Sequence, residues 1–433
     1  MAQVKARAIT GFPEWLPQVK RIEQQWIDRI RAVYEHYGYL PIETPAIELL
    51  DVLRAKGDID KEIYVVKKLH ENASEKFGLH YDLTVPFARY VAQNQGQLTF
   101  PFRRYQMQKI WRGERPQKGR YREFYQCDID VVDNGKLGLY FDFEVLYAGQ
   151  EAMKALGIPE FVIGVSNRKI YEGFLEGIGV EDTENSLRII DKMDKVGREG
   201  VAKLLREEVG LEAATIEQAL LPAAIKSRDL SFVEEFRALG VHTEKTEAGI
   251  SELASIMTMV AHAGDANVRA DLSFVRGFDY YTGTIFEGKF VEDIGLGSIC
   301  SGGRYDNLAA RFTNRHLPGV GFSIGLSRIF GGMVDRGLLP DLNEPFIDVL
   351  VLRTDDNDLP EVVRLANVLR RRGYRVETYA YPDKIGKQFK YAGKRRVPYV
   401  WVASRDQAGQ FEVKDMRSGE QALGDPETWK GEF

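Results

Sequence analysis

The chain has 433 residues, more than one ordinary domain, and its 44% hydrophobic and 28% charged residues exclude wholesale disorder. No stretch reaches the roughly 20 apolar residues of a membrane helix, and we expect no secretory signal because residues 1–17 lack an apolar run. Two cysteines and six scattered histidines argue against a disulfide framework and a zinc site, and they favour a reducing, cytoplasmic setting.

The net charge of −5 weakly disfavours binding to nucleic acid, but the positive charge is unevenly distributed. Residues 109–122 carry six Lys and Arg against one acid, and residues 384–396 carry six with no acid. Such runs are most often solvated faces. The alternative is local contact with a polyanion, which depends on charged patches rather than on net charge.

The first elements in chain order are a helix and a hairpin. Residues 14–37 predict an amphipathic helix, because apolar residues recur at spacings of three and four from Val19 to Tyr37, and Gly38 predicts its end. Aromatic and β-branched residues predict four strands. The last two of these flank a basic loop and are predicted to form a hairpin. The predicted strands are 39–42, 64–67, 100–109 and 124–132, and a second helix is predicted at 141–157.

The composition of the sequence becomes helix-like from residue 168. Four helix-like stretches predict a helical insertion, and strand-like composition follows, with a glycine-rich turn predicted at Ser301-Gly302-Gly303. The helix-like stretches are 168–178, 184–210, 215–239 and 247–262, and the strand-like ones are 268–275 and 280–290. Residues 331–345 predict a linker. Residues 346–433 alternate strands and helices, which predicts a small α/β domain with a partly parallel sheet.

One familiar motif is present and two are absent. Residues 321–325, GFSIG, match the nucleophile elbow of α/β-hydrolases. That elbow needs a downstream histidine, and His316 is the last histidine of the chain, which argues against a hydrolase. The sequence has neither a GxxxxGK[ST] phosphate loop nor a GxGxxG loop after a strand, so these two types of nucleotide site are unsupported.

Four arginines lie among aromatic, glycine and apolar residues: Arg112, Arg120, Arg276 and Arg328. A single arginine of this kind is most often a structural ion pair. Four together favour bidentate capture of phosphate or carboxylate groups. The sequence therefore predicts an anion site without a phosphate loop.

Polar side chains also occur within one predicted strand. Strand alternation places Phe124, Gln126, Asp128 and Asp130 on a single face. Because an unpaired buried carboxylate is strongly unfavourable, this face either meets water or binds something cationic. Residues 276–284, with an arginine, glycines and paired tyrosines, suit a loop over a polar ligand, although ordinary strand aromatics are the alternative.

In chain order, these segments resemble the histidyl-tRNA synthetases, a family of class II aminoacyl-tRNA synthetases. The segments that resemble the three class motifs are 14–37 with 39–45, 111–124, and 319–328. Two segments resemble motifs specific to the histidine enzymes, RGFDYYTGTIFE at 276–287 and SGGRYD at 301–306. A third, DLTVPFARY at 82–90, resembles the substrate loop of the archaeal and eukaryotic branch. The resemblance covers essentially the whole chain.

The resemblance implies a fold and a set of partners. It implies an α+β catalytic domain with an antiparallel sheet at 1–335, a helical insertion within it at 168–262, and an anticodon-binding α/β domain at 346–433. It also implies a cytoplasmic homodimer that binds L-histidine, ATP with Mg²⁺, and tRNA(His), and no membrane. No metal site built by protein side chains is predicted.

By the same resemblance, the carboxylate of histidine attacks the α-phosphate of ATP, giving histidyl-adenylate and pyrophosphate. A terminal ribose hydroxyl of the tRNA then attacks the activated carbonyl. The implied catalytic residues are Arg112, which holds the α-phosphate and the carboxylate, and Arg276, which neutralises the α-phosphate. The implied histidine-binding residues are Asp82, Thr84, Arg112, Gln126, Asp130, Arg276, Tyr280 and Tyr281. The implied ATP-binding residues are Arg112, Glu114, Arg120, Phe124 and Arg328.

One position departs from the family pattern. Gly113 stands where many bacterial members carry histidine, and we interpret it as branch variation. Lys118 and Arg122 are expected near the acceptor end of the tRNA, and residues 384–396 near its anticodon stem. Contacts of this kind to phosphate are salt-sensitive and carry no sequence information.

Three alternatives remain. A synthetase-like subunit that regulates ATP phosphoribosyltransferase is a binding module, and it typically lacks the C-terminal domain and several residues that are present here. A class II synthetase for threonine, glycine or proline is disfavoured by the segments 276–287 and 301–306. A signalling use of the same fold is open to any sequence of this type.

Overall fold

The structure, a computed structural model, describes residues 5–54, 61–70, 76–115, 119–264, 267–275, 280–339, 344–405 and 411–432. The chain divides into two compact units, Met1–Leu339 and Pro340–Phe433. Within the described ranges, no helix combines the length and the apolar character needed to cross a membrane.

The first unit contains both strands and helices. Its described strands are β1 Leu40–Pro41, β2 Ile47–Leu49, β3 Val65–Val66, β4 Phe77–Leu79, β5 Phe102–Trp111, β6 Glu123–Val132, β7 Phe161–Asn167, β8 Lys226–Ser227, β9 Val268–Asp271, β10 Thr284–Phe290, β11 Cys300–Tyr305 and β12 Gly319–Ile324. Its described helices are α1 Pro17–His36, α2 Leu50–Leu53, α3 Thr84–Asn94, α4 Tyr140–Lys154, α5 Arg168–Gly177, α6 Thr183–Ile190, α7 Met193–Leu204, α8 Ala213–Ala219, α9 Ser231–Arg237, α10 Glu244–Ala263 and α11 Leu326–Arg336.

A nine-stranded sheet organises this unit. Its strand order is β1-β5-β6-β12-β11-β10-β7-β9-β8, and all neighbours are antiparallel except β1 with β5 and β7 with β9. A small three-stranded sheet has the order β2-β4-β3. The predicted α+β fold is therefore confirmed, with a sheet that is mainly antiparallel.

The predicted N-terminal helix is confirmed as α1. Pro17 occupies its first turn, and Gly38, with φ +77°, lies just beyond its end, where glycine tolerates the left-handed conformation. Ile22, Trp26 and Ile30 are buried in the main hydrophobic core against the sheet. The spacing of three and four thus turned one helix face toward the sheet, as predicted.

The predicted hairpin is also confirmed, and its second strand has two different faces. β5 and β6 pair over ten positions, from Phe102 opposite Val132 to Trp111 opposite Glu123. Cys127, Ile129 and Val131 of β6 lie in the main hydrophobic core. The alternate residues, from Phe124 to Asp130, therefore face the other side of the sheet.

The block 168–262 is helical with one exception. Lys226–Ser227 form strand β8, inside the predicted helix 215–239, and pair with β9 at the sheet edge. The prediction fails there because pairing with a distant strand overrides local helix propensity. The first and last helices, α5 and α10, share the main core, whereas α6–α8 pack around a separate cluster.

The predicted glycine-rich turn at Ser301-Gly302-Gly303 is wrong, because these residues lie inside strand β11. A Cβ at Gly302 would overlap the carbonyl oxygen of Gly321 on β12, and a Cβ at Gly303 would lie 2.7 Å from the carbonyl oxygen of Thr284. Glycine is required here by the close approach of neighbouring strands and not by a turn.

Three other boundaries differ from the predicted ones. The strand predicted at 268–275 ends at Asp271, and the strand predicted at 280–290 begins only at Thr284. The linker predicted at 331–345 begins too early, since residues 331 and 332 belong to α11. A Cβ at Gly331 would overlap the hydroxyl of Tyr121, so close packing explains that glycine.

The second unit is an α/β domain with a partly parallel sheet, as predicted. Its described elements are α12 Leu359–Arg371 and α13 Ile385–Lys394, and strands β13 Val349–Leu352, β14 Val376–Thr378, β15 Tyr399–Arg405, β16 Phe411–Asp415 and β17 Gln421–Gly424. The strand order is β14-β13-β15-β16-β17. The first three strands are parallel, and the last two, which the sequence did not predict, add antiparallel pairs.

We expect Gly302→Ala to destabilise the first unit, because an added methyl group cannot fit beside the backbone of β12. Overpacking of this kind costs about 1–3 kcal/mol. Gly96→Ala is the matched control, since no atom would lie within 4 Å of its Cβ. Differential scanning calorimetry measures the effect, and equal melting temperatures for the two variants would contradict the explanation.

Candidate functional site

Two adjoining cavities lie along β6, β11 and β12. The outer cavity spans about 660 Å³ and the inner cavity about 330 Å³, with the open solvent at their mouths included. Gln126, Ser301 and Ser323 line both and therefore mark their junction. The predicted ATP-binding residues lining the outer cavity are Arg112, Glu114, Arg120, Phe124 and Arg328. The predicted histidine-binding residues lining the inner cavity are Asp82, Thr84, Gln126, Asp130, Tyr280 and Tyr281.

The structure thus brings together all but one of the predicted site residues. Arg276, predicted for catalysis, lies outside the described residues, as does Lys118 of the basic loop. The other predicted residues meet in two adjoining cavities.

The outer cavity concentrates positive charge. Arg112, Arg120 and Arg328 line it, and Glu114, whose Oε2 lies 3.5 Å from Nη1 of Arg120, is the carboxylate beside them. Burial, and then the like charges of Arg120 and Arg112, lower the pKa of Arg328 to about 10. Guanidinium groups held against their mutual repulsion favour a polyanionic ligand that neutralises them.

Aromatic rings hold Arg112 in place. Its guanidinium carbon lies 4.4 Å from the ring centre of Tyr81 and 5.3 Å from that of Phe124, and its Nε donates to the Tyr81 carbonyl oxygen at 3.3 Å. The Tyr81 hydroxyl donates in turn to Glu62 at 2.7 Å. Such contacts restrict a long, flexible side chain to one orientation.

The backbone of residue 62 also explains the glycine at position 113. The Gly113 N–H donates to the Glu62 carbonyl oxygen at 2.7 Å, and an added Cβ would lie 3.0 Å from that oxygen. The close approach of the two chain segments favours glycine over a larger residue.

The inner cavity concentrates negative charge instead. Burial raises the pKa of Asp128 to about 7 and that of Asp130 to about 6, and in both cases the positive charge of Arg104 opposes the rise. Arg104 is fully buried, and its Nη2 lies 2.5 Å from Oδ2 of Asp130. The Tyr305 hydroxyl donates to the other Asp130 oxygen at 2.6 Å. Asp130 is therefore already held by two protein groups.

The remaining inner residues come from the start of α3 and the loop before β10. Asp82 accepts the Val85 backbone N–H at 3.1 Å, so the first helical turn orients its carboxylate. The Tyr280 side chain is hydrogen-bonded to Thr84, and its ring meets that of Tyr281 edge-on at 5.1 Å.

The charged residues of the segment SGGRYD act as a scaffold, whereas Ser301, Gly302, Gly303 and Tyr305 line the inner cavity. Arg304 forms a buried ion pair with Asp142 of α4, and its carbonyl oxygen accepts the Thr282 N–H at 2.8 Å. The Thr282 hydroxyl also donates to Asp306 at 2.5 Å. These bonds fix the residue next to Tyr281, so the segment positions the tyrosines without lining the site through its charges.

Sequence reasoning missed Arg104, Tyr305, Ser323 and Tyr81 as site components. The demand of buried Asp130 for a cation was recognisable, but any of several arginines could have met it. Ser323 belongs to the GFSIG segment, which lies in strand β12 and not in an elbow. Its hydroxyl donates to Asp128 at 2.5 Å and accepts from Gln126 at 2.8 Å, so the segment forms no nucleophile elbow, in line with the sequence argument against a hydrolase.

The outer cavity is suited to Mg²⁺ only as a companion of phosphate groups. Among the described residues, no group of three or more His, Cys, Asp or Glu side chains is placed to hold a metal ion. Mg²⁺ commonly binds through one or two carboxylates, water and substrate phosphates. Glu114 supplies such a carboxylate in a cavity lined by arginines, so the residues fit a nucleotide-borne ion.

We expect Asp128→Asn to gain stability relative to the wild type as the pH rises from 5 to 8. The folded pKa of Asp128, about 7, exceeds the unfolded value of about 3.9, so its favourable contribution is present at low pH and lost through pH 7. The amide does not ionise, and the difference should reach on the order of a few kcal/mol. Calorimetry at several pH values tests this, and a pH-independent difference would contradict it.

Known proteins match this chain over its full length. Residues 11–329 match the family described as Histidyl-tRNA synthetase, and residues 348–428 match the Anticodon binding domain. The histidine–tRNA ligase of Thermobifida fusca is 43% identical, covering 99% of both chains, and that of Micrococcus luteus is 48% identical, covering 98% of this chain and 95% of the relative. The histidyl-tRNA synthetase structure from Nostoc sp. has a TM-score of 0.86 and 36% identity, covering 98% of this chain and 97% of that one. These matches show that the chain belongs to the histidyl-tRNA synthetase family.

Proposed function

We propose that this protein is a histidine–tRNA ligase. In the first step, a carboxylate oxygen of L-histidine bonds to the α-phosphorus of ATP, and the bond to the β-phosphate breaks to release pyrophosphate. In the second step, a terminal ribose hydroxyl of tRNA(His) attacks the carbonyl of histidyl-adenylate, loses its proton and displaces AMP. The work required of the site is positioning and charge stabilisation.

The observation that carries this proposal is the opposite charge of two connected cavities. The outer cavity has three arginines and one carboxylate, which suits a triphosphate. The inner cavity has Asp82, Asp128 and Asp130, which suit an ammonium and an imidazole group. A substrate amino acid bound with its side chain inward would place its carboxylate at the junction, beside the α-phosphate of the nucleotide.

In the outer cavity, we assign phosphate contacts to the arginines. Arg112, whose Nε donates to the carbonyl oxygen of Tyr81, the residue before Asp82 of the inner cavity, holds the α-phosphate and the amino-acid carboxylate. Arg120 and Arg328 hold the outer phosphates. Phe124 stacks on adenine, and Glu114 accepts from its amino group and carries a Mg²⁺-linked contact.

In the inner cavity, Asp82 and Thr84 hold the ammonium of histidine. Gln126, Asp130, Tyr280 and Tyr281 surround its imidazole and amino groups. Because a ligand without matching N–H groups leaves these buried polar atoms unpaired, such a pocket can reject isosteric amino acids strongly.

Three parts of the machinery rest on resemblance. Arg276 is proposed to neutralise the α-phosphate during adenylate formation. Mg²⁺, which travels with the nucleotide, offsets phosphate charge when bound. Arg122 is proposed near the acceptor end of the tRNA, and its Nε donates to the Glu114 carbonyl oxygen at 3.1 Å, which also links it to the nucleotide cavity.

The second unit is proposed to bind the anticodon arm. Helix α13 carries Lys387, Lys390 and Lys394 at intervals of three and four residues, so these side chains share one face. Lys384, Arg395 and Arg396 extend the positive charge at both ends. A row of cations on one helix suits contact with tRNA phosphates.

A homodimer is proposed from an exposed apolar surface. β1 is the edge strand of the nine-stranded sheet, and its Leu40 is 58% exposed. Ile47, Leu49 and Val65 of the small sheet are also exposed. Exposed edges with apolar side chains favour pairing with another chain. We also propose a cytoplasmic location, because ATP and tRNA are available there.

The regulatory-subunit alternative is less well supported. The curated relatives that cover nearly the whole chain are named as ligases, and the C-terminal unit is present. The arginine-lined cavity would also have no evident purpose in a subunit that only senses an amino acid.

We expect ATP–pyrophosphate exchange with histidine and with none of the other nineteen amino acids, followed by charging of tRNA(His). The expectation rests on the polar groups of the inner cavity, which match both ends of histidine. Exchange with a different amino acid would contradict the substrate. Absence of exchange in protein that still binds histidine would favour the regulatory alternative.

We expect Arg328→Gln to raise the KM for ATP by roughly tenfold or more, because a charge-assisted phosphate contact is worth about 1.5–3 kcal/mol. The KM for histidine should change little, since Arg328 lines only the outer cavity. Arg364→Gln, at a surface ion pair of the second unit, is the matched control. Equal KM values for ATP in both variants would contradict the phosphate role.

A further inference from the structure

A chain of three side chains crosses from one strand to the next at the junction of the cavities. Asp128 of β6 and Ser323 of β12 lie directly opposite each other in the antiparallel register. The Ser323 hydroxyl donates to Oδ1 of Asp128 at 2.5 Å. Nε2 of Gln126 donates to the same hydroxyl oxygen at 2.8 Å.

When Asp128 is ionised, only one arrangement of hydrogen-bond donors and acceptors is possible among these three side chains. A carboxylate accepts hydrogen bonds and cannot donate them, so the single Ser323 proton must point to Asp128. The Ser323 oxygen can then only accept, and it must receive the amide N–H of Gln126. The other end of that amide, Oε1, consequently points away from Ser323.

The free end of the amide is a buried acceptor. Oε1 of Gln126 has no hydrogen-bond partner among the described residues, although a buried amide oxygen normally has one. Gln126 lines both cavities, so this oxygen lies where they meet. A ligand with an N–H group at that place would satisfy it.

We propose that Asp128, acting through Ser323, is a positioning residue that holds the Gln126 amide with its oxygen toward the ligand, where it accepts an N–H from the α-ammonium of the substrate. This inference rests on the proposed function and adds Asp128 and Ser323 to its specificity-determining residues.

The ammonium, rather than the imidazole, is the group that meets Gln126. Adenylate formation requires the carboxylate of the amino acid beside the α-phosphate, at the junction of the cavities. The ammonium is attached to the same carbon as the carboxylate, so it also lies at the junction. The imidazole extends further inward, toward Asp130 and Tyr305.

The charged neighbours of Asp128 leave its bond to Ser323 intact. Arg104 of β5 forms an ion pair with Asp130, with 2.5 Å between Nη2 and Oδ2, although its charge also acts on Asp128. Asp130 and Asp82 are the other carboxylates that face it. Measurements at pH 8 keep Asp128 ionised, since burial gives it a pKa of about 7.

Ser323→Ala is the decisive variant, because it removes the relay without changing any charge. We measure the KM for histidine in pyrophosphate exchange at pH 8, and the inhibition constants of histidinol, which keeps the amine, and 3-(imidazol-4-yl)propionate, which lacks it. We expect weakening of roughly tenfold or more for the two amines. The inhibition constant of the amine-free compound and the kcat for histidine should each change by less than about twofold, because neither depends on the contact with the ammonium.

Two further variants separate positioning from general damage. Ser323→Thr keeps the hydroxyl and should restore the KM for histidine. Ser186→Ala removes a buried hydroxyl that donates to the Asp182 carbonyl oxygen elsewhere in the same unit, and it should leave the KM unchanged.

A double-mutant cycle tests whether the relay acts through Gln126. Ser323→Ala should add nothing to the loss already caused by Gln126→Ala. Additive losses, or equal weakening of all three ligands by Ser323→Ala, would overturn the inference while leaving the proposed function in place. Wild-type protein that supports no exchange with histidine would overturn the proposed function and, with it, the inference.

Discussion

The register of strand β6 between β5 and β12 is the constraint on which the rest of this structure depends. Residues of one parity, such as Ile129, fill the main core, and those of the other parity, such as Asp128, line the cavities. Because side chains alternate, a slip of one residue would bury the carboxylates in the core and expose apolar groups to the ligand. Core packing and site assembly therefore stabilise the same register.

Electrostatics divides the site into two regions that would be unfavourable if either were isolated. Burial, and then the like charges of Arg120 and Arg112, lower the pKa of Arg328 in the outer cavity. Burial, and then neighbouring carboxylates, raise the pKa values of Asp128 and Asp130 in the inner cavity, and the positive charge of Arg104 offsets only part of the rise. A ligand with a polyanionic end and a cationic end relieves both, which is the charge distribution of ATP and an amino acid side by side.

Glycine makes the space that these charges need. Gly302 and Gly303 of β11 and Gly321 of β12 approach their neighbours so closely that a Cβ would meet backbone or side-chain atoms. At Gly321, that atom belongs to Asp130, so the missing side chain leaves room for the carboxylate in the inner cavity. Gly302 and Gly303, which were predicted to lie in a turn, thus form a closely packed part of the inner cavity wall.

Local patterns and motifs were enough to predict the fold class, helix α1, the β5–β6 hairpin, the alternation along β6 and eleven of the residues that line the cavities. Tertiary structure alone decided that Arg104 pairs with Asp130, that β8 joins the sheet, and that Ser323 orients Gln126. Asp128 and Ser323 are 195 positions apart, and their contact exists only because β6 and β12 are neighbours in the sheet. Hydrogen bonds between strands distant in sequence leave no periodicity along the chain, so only the folded sheet reveals them.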